Sequence, residues 1–474
     1  LHTAYRRQRQ MCIRDSISIK LPIHHRIMEL LRTILFSVFC FGMAITLKAE
    51  RVDMLKSGAK ADGKTLNTTL INHTVDRLSQ AGGGTLFFPA GTYLTGAIRL
   101  KSNITLELEA GATLLFSDNF DDYLPFMEVR HEGVMMKSFS PLISAMDAEN
   151  ITIKGEGTLD GQGKAWWTEF FRIYVDLEKN GMRELNKYQP LWERENDVEA
   201  LYAETNEDWH GTLKRRFFRP PFIQLVRCRR VRIEGVKIIN SPFWTVNPEF
   251  CDNVVVTGVT IHNVPSPNTD GINPESCRNV HISDCHISVG DDCITLKSGR
   301  DAQARRLGVP CENITITNCT MLSGHGGVVI GSEMSGSVRK VTISNCVFDG
   351  TDRGIRIKST RGRGGVVEDI RVSNIIMSNI KREAVVLNLK YSEMPVEPMS
   401  ERTPLFRDIS ISGLTAVGVK TPVKIMGLEE APVTDIILRD INVKNAREKC
   451  IFENCERIRL TDVIVNGQEV RLEE

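Results

Sequence analysis

One short strand-like phrase recurs along the C-terminal half of the chain. It alternates apolar and polar residues, as in "VHISDC" from Val280, "ITITNC" from Ile314 and "VTISNC" from Val341. The phrases begin 22 to 39 residues apart, and most intervals are 22 to 29 residues. Alternation with a period of two predicts a β-strand, and its repetition at a nearly regular interval predicts a solenoid.

The content of each repeat indicates which solenoid forms. Each unit carries a second short strand, such as "CITLKS", "GVVIGS" or "GIRIKS", and no long amphipathic helix separates the units. Leucine-rich repeats and β/α barrels need such helices, and propeller blades need four strands in a longer repeat. We therefore predict an all-β fold, a right-handed parallel β-helix whose equivalent residues stack about 4.8 Å apart.

The last residue of each phrase is predicted to point into the solenoid. The inner stack is then Val236, Val259, Cys285, Cys319, Cys346, Ile375, Leu414, Ile441 and Val463. Cysteine at such a repeated apolar position behaves as a small buried hydrophobe, so we predict no disulfide for these three cysteines. No CxxC spacing supports a zinc site, and we predict neither a metal nor another cofactor.

Two segments depart from the repeat. "TLINHTVDRLSQAGGG" predicts a short helix that caps the N-terminal end of the solenoid, where strand edges would otherwise be exposed. Residues 164–220 are aromatic, charged and partly helical. We predict that this insert is a lid over a cleft; the alternative is a shield on the flank of the solenoid.

The N-terminus is separate from the fold. Residues 1–27 include "MCIRDS", a translated sequencing-library end, so we interpret them as a non-native leader. Residues 28–49 have a charged start, a short apolar run and a final Ala49, which is typical of a signal peptide. We therefore expect one parallel β-helix domain over residues 50–474 that is secreted or periplasmic, with no stable membrane insertion.

The charge of that domain excludes a general polyanion binder. Residues 50–474 carry 52 Lys and Arg against 57 Asp and Glu. A nucleic acid would need a strongly basic surface, so we predict no nucleic-acid partner. Any anionic substrate must instead be held by a local basic patch.

Three carboxylates are predicted to meet on neighbouring coils. When the second strands are aligned on their Gly or Cys, Asp270 and Asp292 take the same position in successive units, with Asp291 beside them. His325 falls one coil further on. Stacked carboxylates about 5 Å apart repel, which raises the pKa of at least one and leaves another as a base. Glycoside hydrolysis needs that division of roles.

Two cations are predicted on the same face. In "GIRIKS", alternation turns Ile355 and Ile357 inward, so Arg356 and Lys358 point outward. Their charges suit a substrate carboxylate. A single aspartate in such a turn is more often a solvated cap, but the whole set on one face favours catalysis.

These residues resemble glycoside hydrolase family 28, the pectin-degrading polygalacturonase family. Its four signatures occur in order, as "NTD" at 268–270, "GDD" at 290–292, "GHG" at 324–326 and "RIK" at 356–358. The likeness extends from about residue 57 through the last coil. It implies a pectin-lyase-like solenoid that hydrolyses α-1,4-galacturonosidic bonds with inversion.

The resemblance also implies roles. Asp291 would be the general acid, Asp270 and Asp292 would activate water, and His325 would support the charge state of the acid. The substrate-binding residues would be Asn268, Arg356, Lys358 and Tyr391. The expected partner is a pectic polysaccharide or oligogalacturonate.

Other functions remain open at this point. A rhamnogalacturonan hydrolase of the same family is the nearest alternative. A calcium-dependent pectate lyase would use the acidic cluster for metal, and a non-catalytic β-helix would bind glycan unchanged. The short carboxylate separation expected from stacking is that of retaining enzymes. We nevertheless expect inversion, because two candidate bases can hold a water molecule without a wide gap.

The insert predicts the mode of attack. It contains Trp166, Trp167, Trp192 and Trp209 and the basic residues Lys214, Arg215, Arg216 and Arg219. Aromatic rings suit sugar faces and cations suit a terminal uronate. We therefore predict that residues 164–220 close one end of the groove and force exo release of single galacturonates.

Overall fold

Strands of the recurring phrase pair in parallel with their equivalents in the next coil. Val280 lies opposite Ile314, and Ile314 lies opposite Val341. The computed structural model describes residues 50–472, and this pairing winds them into the predicted parallel β-helix. The predicted leader at 1–27 and signal peptide at 28–49 lie outside the described residues.

The larger sheet wraps two sides of the solenoid and has 21 strands. All pair in parallel except the last, which is antiparallel to the strand before it. The strands are Glu50–Asp53, Gly84–Phe88, Gly91–Thr95, Ile104–Leu108, Ala112–Phe116, Glu149–Gly155, Thr158–Asp160, Arg229–Glu234, Lys237–Ile239, Asp252–Thr257, Thr260–His262, Arg278–Ser283, His286–Ser288, Cys311–Thr317, Thr320–Ser323, Val338–Asp349, Val366–Ser378, Leu405–Val417, Val433–Lys444, Cys455–Val465 and Gln468–Glu469.

The third side, which we call the site sheet, consists of two groups of parallel strands. The first group is Ile98–Arg99, Ile143–Met146, Ile223–Val226 and Val246–Glu249, and the second is Asp292–Leu296, Gly326–Ile330, Ile355–Lys358, Glu383–Asn388, Thr421–Met426 and Ile451–Glu453. Isolated bridges at Ile272 and Glu275 join the two groups. The segment around residues 268–275 therefore lies at the junction between them.

The core follows the predicted inner stack. All nine of its residues are at most 2% exposed, and Cys346, Ile375, Leu414, Ile441 and Val463 lie opposite one another in turn. The ten cysteines from Cys228 to Cys455 are all unpaired. The prediction that Cys285, Cys319 and Cys346 are buried as small hydrophobes is confirmed, because these thiols fill the core between coils.

Helices occupy the N-terminal end and the insert. They are α1 (Thr68–Gln80), α2 (Lys164–Asn180), α3 (Tyr188–Glu195), α4 (Val198–Glu204), α5 (Glu207–Leu213) and α6 (Asp301–Leu307), with a 3-10 turn at Phe120–Tyr123. The predicted cap is α1, whose Ile71, Val75 and Leu78 are fully buried. No helix within residues 50–472 is long and apolar enough to cross a membrane.

An antiparallel hairpin, Met127–His131 paired with Val134–Ser138, leaves the solenoid before the insert. It shares a small second core with the insert helices, formed by Val129, Val134, Met136, Trp192, Leu201, Trp209, Leu213 and Phe218. The sequence did not reveal this partnership, because the two segments carry no pattern that links them. The insert therefore supports the hairpin on the face of the site sheet.

Candidate active site

Asp270, Asp291 and Asp292 come together where the site sheet changes from its first to its second group of strands. The bridge between Ile272 and Ile294 sets neighbouring coils in the predicted register. One oxygen from each of the three carboxylates lies within 4.8 Å of the others. They line a cavity of about 580 Å³ that also contains Asn268, His325, Arg356, Lys358 and Tyr391. All the predicted site residues therefore meet in one place.

Asp292 is held in its ionised form by two cations. Its side chain is 1% exposed, Lys358 Nζ lies 2.8 Å from Oδ2, and Arg356 Nη1 lies 3.3 Å from Oδ1. Burial by itself would raise the pKa of Asp292, but the charges of Lys358, Arg356 and Lys297 outweigh it and lower the pKa to about 2. Ile355 and Ile357 are in the core, so the predicted outward direction of the two cations is confirmed.

Asp270 has the opposite tendency. It is 2% exposed, and burial together with the negative charges of Asp291 and Asp292 raises its pKa well above the usual range. Lys297 Nζ lies 3.7 Å from Asp270 Oδ2 and only partly compensates. Asp270 therefore favours its protonated form beside the other two carboxylates.

Asp291 is the carboxylate of the three that faces the cavity most openly, with 17% of its side chain exposed. His325 Nδ1 lies 3.1 Å from Asp291 Oδ1. The hydrogen bond to Asp291 is the main reason that the pKa of His325 is raised, and burial only partly opposes it. A proton on His325 would stabilise the negative charge that Asp291 gains when it gives up its own proton.

Asn268 reaches Asp291 from the other side, and Arg219 fixes its orientation. Arg219 Nη2 donates to Asn268 Oδ1 at 2.7 Å, so the amide nitrogen of Asn268 faces Asp291 Oδ2 at 3.5 Å. Arg219 has no acceptor, which excludes the flipped amide. Its pKa is lowered to about 9, mainly by burial. The prediction that Arg219 meets a terminal uronate is thus wrong, since it lies behind Asn268.

Tyr391 covers the two cations. Its ring centre lies 5.5 Å from Arg356 Cζ and 5.2 Å from Lys358 Nζ, distances suited to cation–π attraction. The ring itself is 44% exposed. A substrate that meets Arg356 and Lys358 therefore also meets the face or edge of this tyrosine.

One end of the cavity is lined by Trp209, which the sequence singled out, and by four residues that it did not. The hairpin turn brings Glu132, α5 brings Asp208 and Trp209, and the segment after Leu296 brings Lys297 and Arg300. Arg300 Nε donates to the Glu132 backbone carbonyl at 3.0 Å. Only Lys297 had an available signal, because it alternates with the inward-facing Ile294 and Leu296 as Lys358 does with Ile355 and Ile357.

The insert tryptophans mostly serve packing. Trp166 is fully buried among Phe120, Tyr123 and Phe139, and Trp192 is 1% exposed in the second core. Of the four, Trp209 alone lines the cavity. The prediction of sugar-binding rings is therefore wrong for Trp166 and Trp192, whose burial supplies apolar area for folding instead.

Arg215 and Arg216 of the insert do not line the cavity of the three carboxylates. Arg216 pairs with Glu193 of α3 at 3.1 Å, and the guanidinium of Arg215 lies over the rings of Phe170 and Tyr174. Each of these cations thus has a partner within the insert. The structure gives neither arginine a contact with the three carboxylates.

Carboxyl groups whose pKa values are shifted in opposite directions, beside two cations on a parallel β-helix, are the arrangement expected of a solenoid glycosidase. Residues 207–463 match the sequence profile of glycosyl hydrolases family 28. The chain belongs to that family, and the resemblance found in its four motifs is confirmed.

Individual relatives agree with this assignment. A probable polygalacturonase of Vitis vinifera is 31% identical over 410 residues, which cover 84% of this chain and 75% of the relative. An endo-polygalacturonase of Pectobacterium carotovorum subsp. carotovorum is 28% identical over 366 residues, covering 75% and 79%. The structure of an exopolygalacturonase from Thermotoga maritima superposes with a TM-score of 0.78 at 35% identity, covering 88% of this chain and 92% of the other.

Proposed function

We propose that this protein hydrolyses the α-1,4-galacturonosidic bonds of polygalacturonate, with Asp291 as the general acid. The observation that carries the proposal is the position of Asp291, the most exposed of the three carboxylates, between His325 and Asn268. The two carboxylates beside it have pKa values shifted in opposite directions. In this proposal Asp291 donates its proton to the glycosidic oxygen.

Asp292 is the proposed base for the attacking water, and Asp270 is proposed to hold the same water by a hydrogen bond. Asp292 stays ionised because of its two cations, and a water between it and Asp270 would be held from two sides. The cluster is more compact than the 6.5–9.5 Å typical of inverting enzymes. We keep inversion as the expected outcome because two carboxylates share the water. Proton NMR of the first product anomer tests it, and net retention would contradict it.

Arg356 and Lys358 are proposed to bind the uronate carboxylate of the substrate. A guanidinium has five N–H donors and an ammonium has three, so pairing with Asp292 leaves donors free for a second carboxylate. Both side chains keep a small exposed fraction beneath Tyr391. This arrangement favours galacturonate polymers over the rhamnogalacturonan alternative, whose backbone alternates neutral sugars with uronates.

Exo attack is proposed because the hairpin fills the groove on one side of the site. Arg130 is 1% exposed and lies within 3.6 Å of both Glu249 and Glu275, which stand on the outer face of the site sheet. Gln224 Nε2 donates to the Arg130 carbonyl at 2.9 Å. These buried positions are where a polymer would extend in an open groove. The insert contributes to this barrier indirectly, because its helices pack against the hairpin in the second core.

The acidic cluster also bears on the lyase alternative. Three carboxylate oxygens within 4.8 Å could hold a metal ion. Lys358, Arg356 and Lys297 already supply positive charge to Asp292 and Asp270, however. Hydrolysis with side-chain cations thus accounts for the site without calcium.

A secreted or periplasmic location is proposed together with residues 28–49 as a signal peptide, since pectic polymers occur outside cells. N-terminal sequencing of the exported protein tests this. A start within 1–49 after export would contradict it.

Product chromatography over a time course on polygalacturonate tests the activity. Galacturonate monomer as the sole early product is expected. A product that absorbs ultraviolet light and is lost in chelator would indicate a lyase, and binding without any product would indicate a glycan-binding module. A mixture of oligomers with an early fall in viscosity would contradict exo attack.

A further inference from the structure

The closed end of the cavity presents carboxylate oxygens. Glu132 Oε2 accepts a hydrogen bond from Trp209 Nε1 at 2.6 Å, and Asp208 Oδ2 accepts one from Arg363 Nη2 at 3.1 Å. In the described chain, the second oxygen of Glu132 and that of Asp208 accept no hydrogen bond. The two side chains keep 21% and 14% exposure, and both line the cavity.

The cations at this end are already compensated. Lys297 Nζ lies 2.7 Å from Glu333 Oε2, and Arg300 pairs with the other oxygen of Glu333. Arg363 contacts Asp208 and, at 3.4 Å, Asp301. The charge of this end therefore does not favour an additional substrate carboxylate.

An ionised carboxylate oxygen without a partner suits a hydroxyl donor. In a 1,4-linked chain, the 4-oxygen lies across the sugar ring from the scissile bond. If a terminal sugar lies with its anomeric carbon at Asp291 and the rest of its ring toward the closed end, its free 4-hydroxyl lies at that end. The carboxylates of Glu132 and Asp208 stand at that end.

We propose that Glu132 and Asp208 recognise the free hydroxyls of the terminal sugar, the 4-hydroxyl among them, and so select saturated non-reducing ends. This inference rests on the proposed exo-hydrolysis and names its substrate class. An oligogalacturonate with a 4,5-unsaturated terminal residue has no 4-hydroxyl. When it binds, a carboxylate oxygen of Glu132 or Asp208 is left without a hydrogen-bond donor. A hydrogen bond to a charged group accounts for about a 10- to 100-fold preference.

The hairpin positions Glu132 closely enough for this role. Gly133 has a φ of +86°, and a Cβ there would lie 2.7 Å from the Arg300 backbone nitrogen. That nitrogen donates to the Gly133 carbonyl at 3.2 Å. The turn is therefore clamped to the segment that follows the Asp292 strand, which holds Glu132 at a defined distance from the site.

The test compares kcat/KM for saturated trigalacturonate and for trigalacturonate with a 4,5-unsaturated non-reducing end. The wild-type enzyme is expected to favour the saturated trimer about 10- to 100-fold. Glu132→Gln and Asp208→Asn are expected to lower kcat/KM more for the saturated trimer than for the unsaturated one, which narrows the preference. Glu193→Gln, on the outer side of the insert, is the matched control and should preserve it.

Equal kcat/KM for both trimers would overturn the inference while leaving exo-hydrolysis intact. If both variants keep the wild-type preference for the saturated trimer, other residues select the saturated end, and the inference is also overturned. If neither trimer releases galacturonate, the proposed function itself fails, and the inference fails with it. Thermal melting shows whether Asp208→Asn folds, and Glu132→Gln, which keeps an acceptor for Trp209, provides the comparison if it does not.

Discussion

Lys358 Nζ lies 2.8 Å from Asp292 Oδ2, with Asp292 almost fully buried. The two residues are 66 positions apart and stand two coils apart on the site sheet. Because a buried carboxylate without a partner would be neutral, this pair decides which carboxylate of the cluster carries charge. The same pair connects Lys358, a cation proposed to bind the substrate uronate, with Asp292, the proposed base.

Replacing Lys358 should therefore change the pH dependence as well as substrate binding. In Lys358→Met, the pKa of Asp292 is expected to rise from about 2, because a cause of its lowering is removed. The acid limb of kcat/KM then moves to higher pH, since the base is protonated sooner. A pH–rate profile measures this, with the exposed Lys444→Met as the control; an unmoved acid limb would contradict the assignment of Asp292 as a base.

The role of Asp291 can be separated from that of Asp270 by the leaving group. Asp291→Asn is expected to lower kcat on polygalacturonate by about 10²- to 10⁴-fold. An aryl galacturonoside with an acidic phenol needs no protonation, so this variant should retain most activity on it. Asp270→Asn, if Asp270 holds the water, should lose activity on both substrates. The reverse pattern would make Asp270 the acid.

The buried pair of Glu249 and Glu275 predicts a pH-dependent stability. Burial and the charge of Glu275 raise the pKa of Glu249 well above its usual range. Folding therefore takes up a proton, and stability is lost as pH rises from about 4.3 through the folded pKa. Glu249→Gln has no carboxyl to deprotonate and should not lose stability in this way. The melting temperature of the variant minus that of wild type should therefore increase between about pH 5 and pH 8. The exposed Glu456→Gln should show no such trend, and a constant difference for Glu249→Gln would contradict the prediction.

Shortening the hairpin should change the mode of attack. Replacing residues 128–137 by a short turn uncovers Gln224, Glu249 and Glu275 on the site sheet and opens the groove on that side. Internal cuts are then expected, seen as a faster fall in viscosity for each new reducing end. Replacing residues 395–399 in an exposed loop is the control. Monomer as the only early product of the shortened variant would place the barrier elsewhere.

Much of the solenoid and of the catalytic cluster could be predicted from the sequence. The inner stack from Val236 to Val463 and the outward direction of Arg356 and Lys358 follow from alternation, which is a property of each strand by itself. The repeat then placed Asp270 and Asp292 on neighbouring coils. Local periodicity and coil-to-coil stacking are thus enough to bring residues of successive repeats together.

The closed end of the cavity was decided by the tertiary structure. Arg130 reaches Glu249 and Glu275 from more than 100 residues away, and Trp209 reaches Glu132 from 77 residues away. The hairpin and the insert share no repeat with the solenoid, so nothing in their sequence states which face they cover. They are placed by a joint apolar core and by the pairing of buried charges, and such contacts exist only after distant segments have packed.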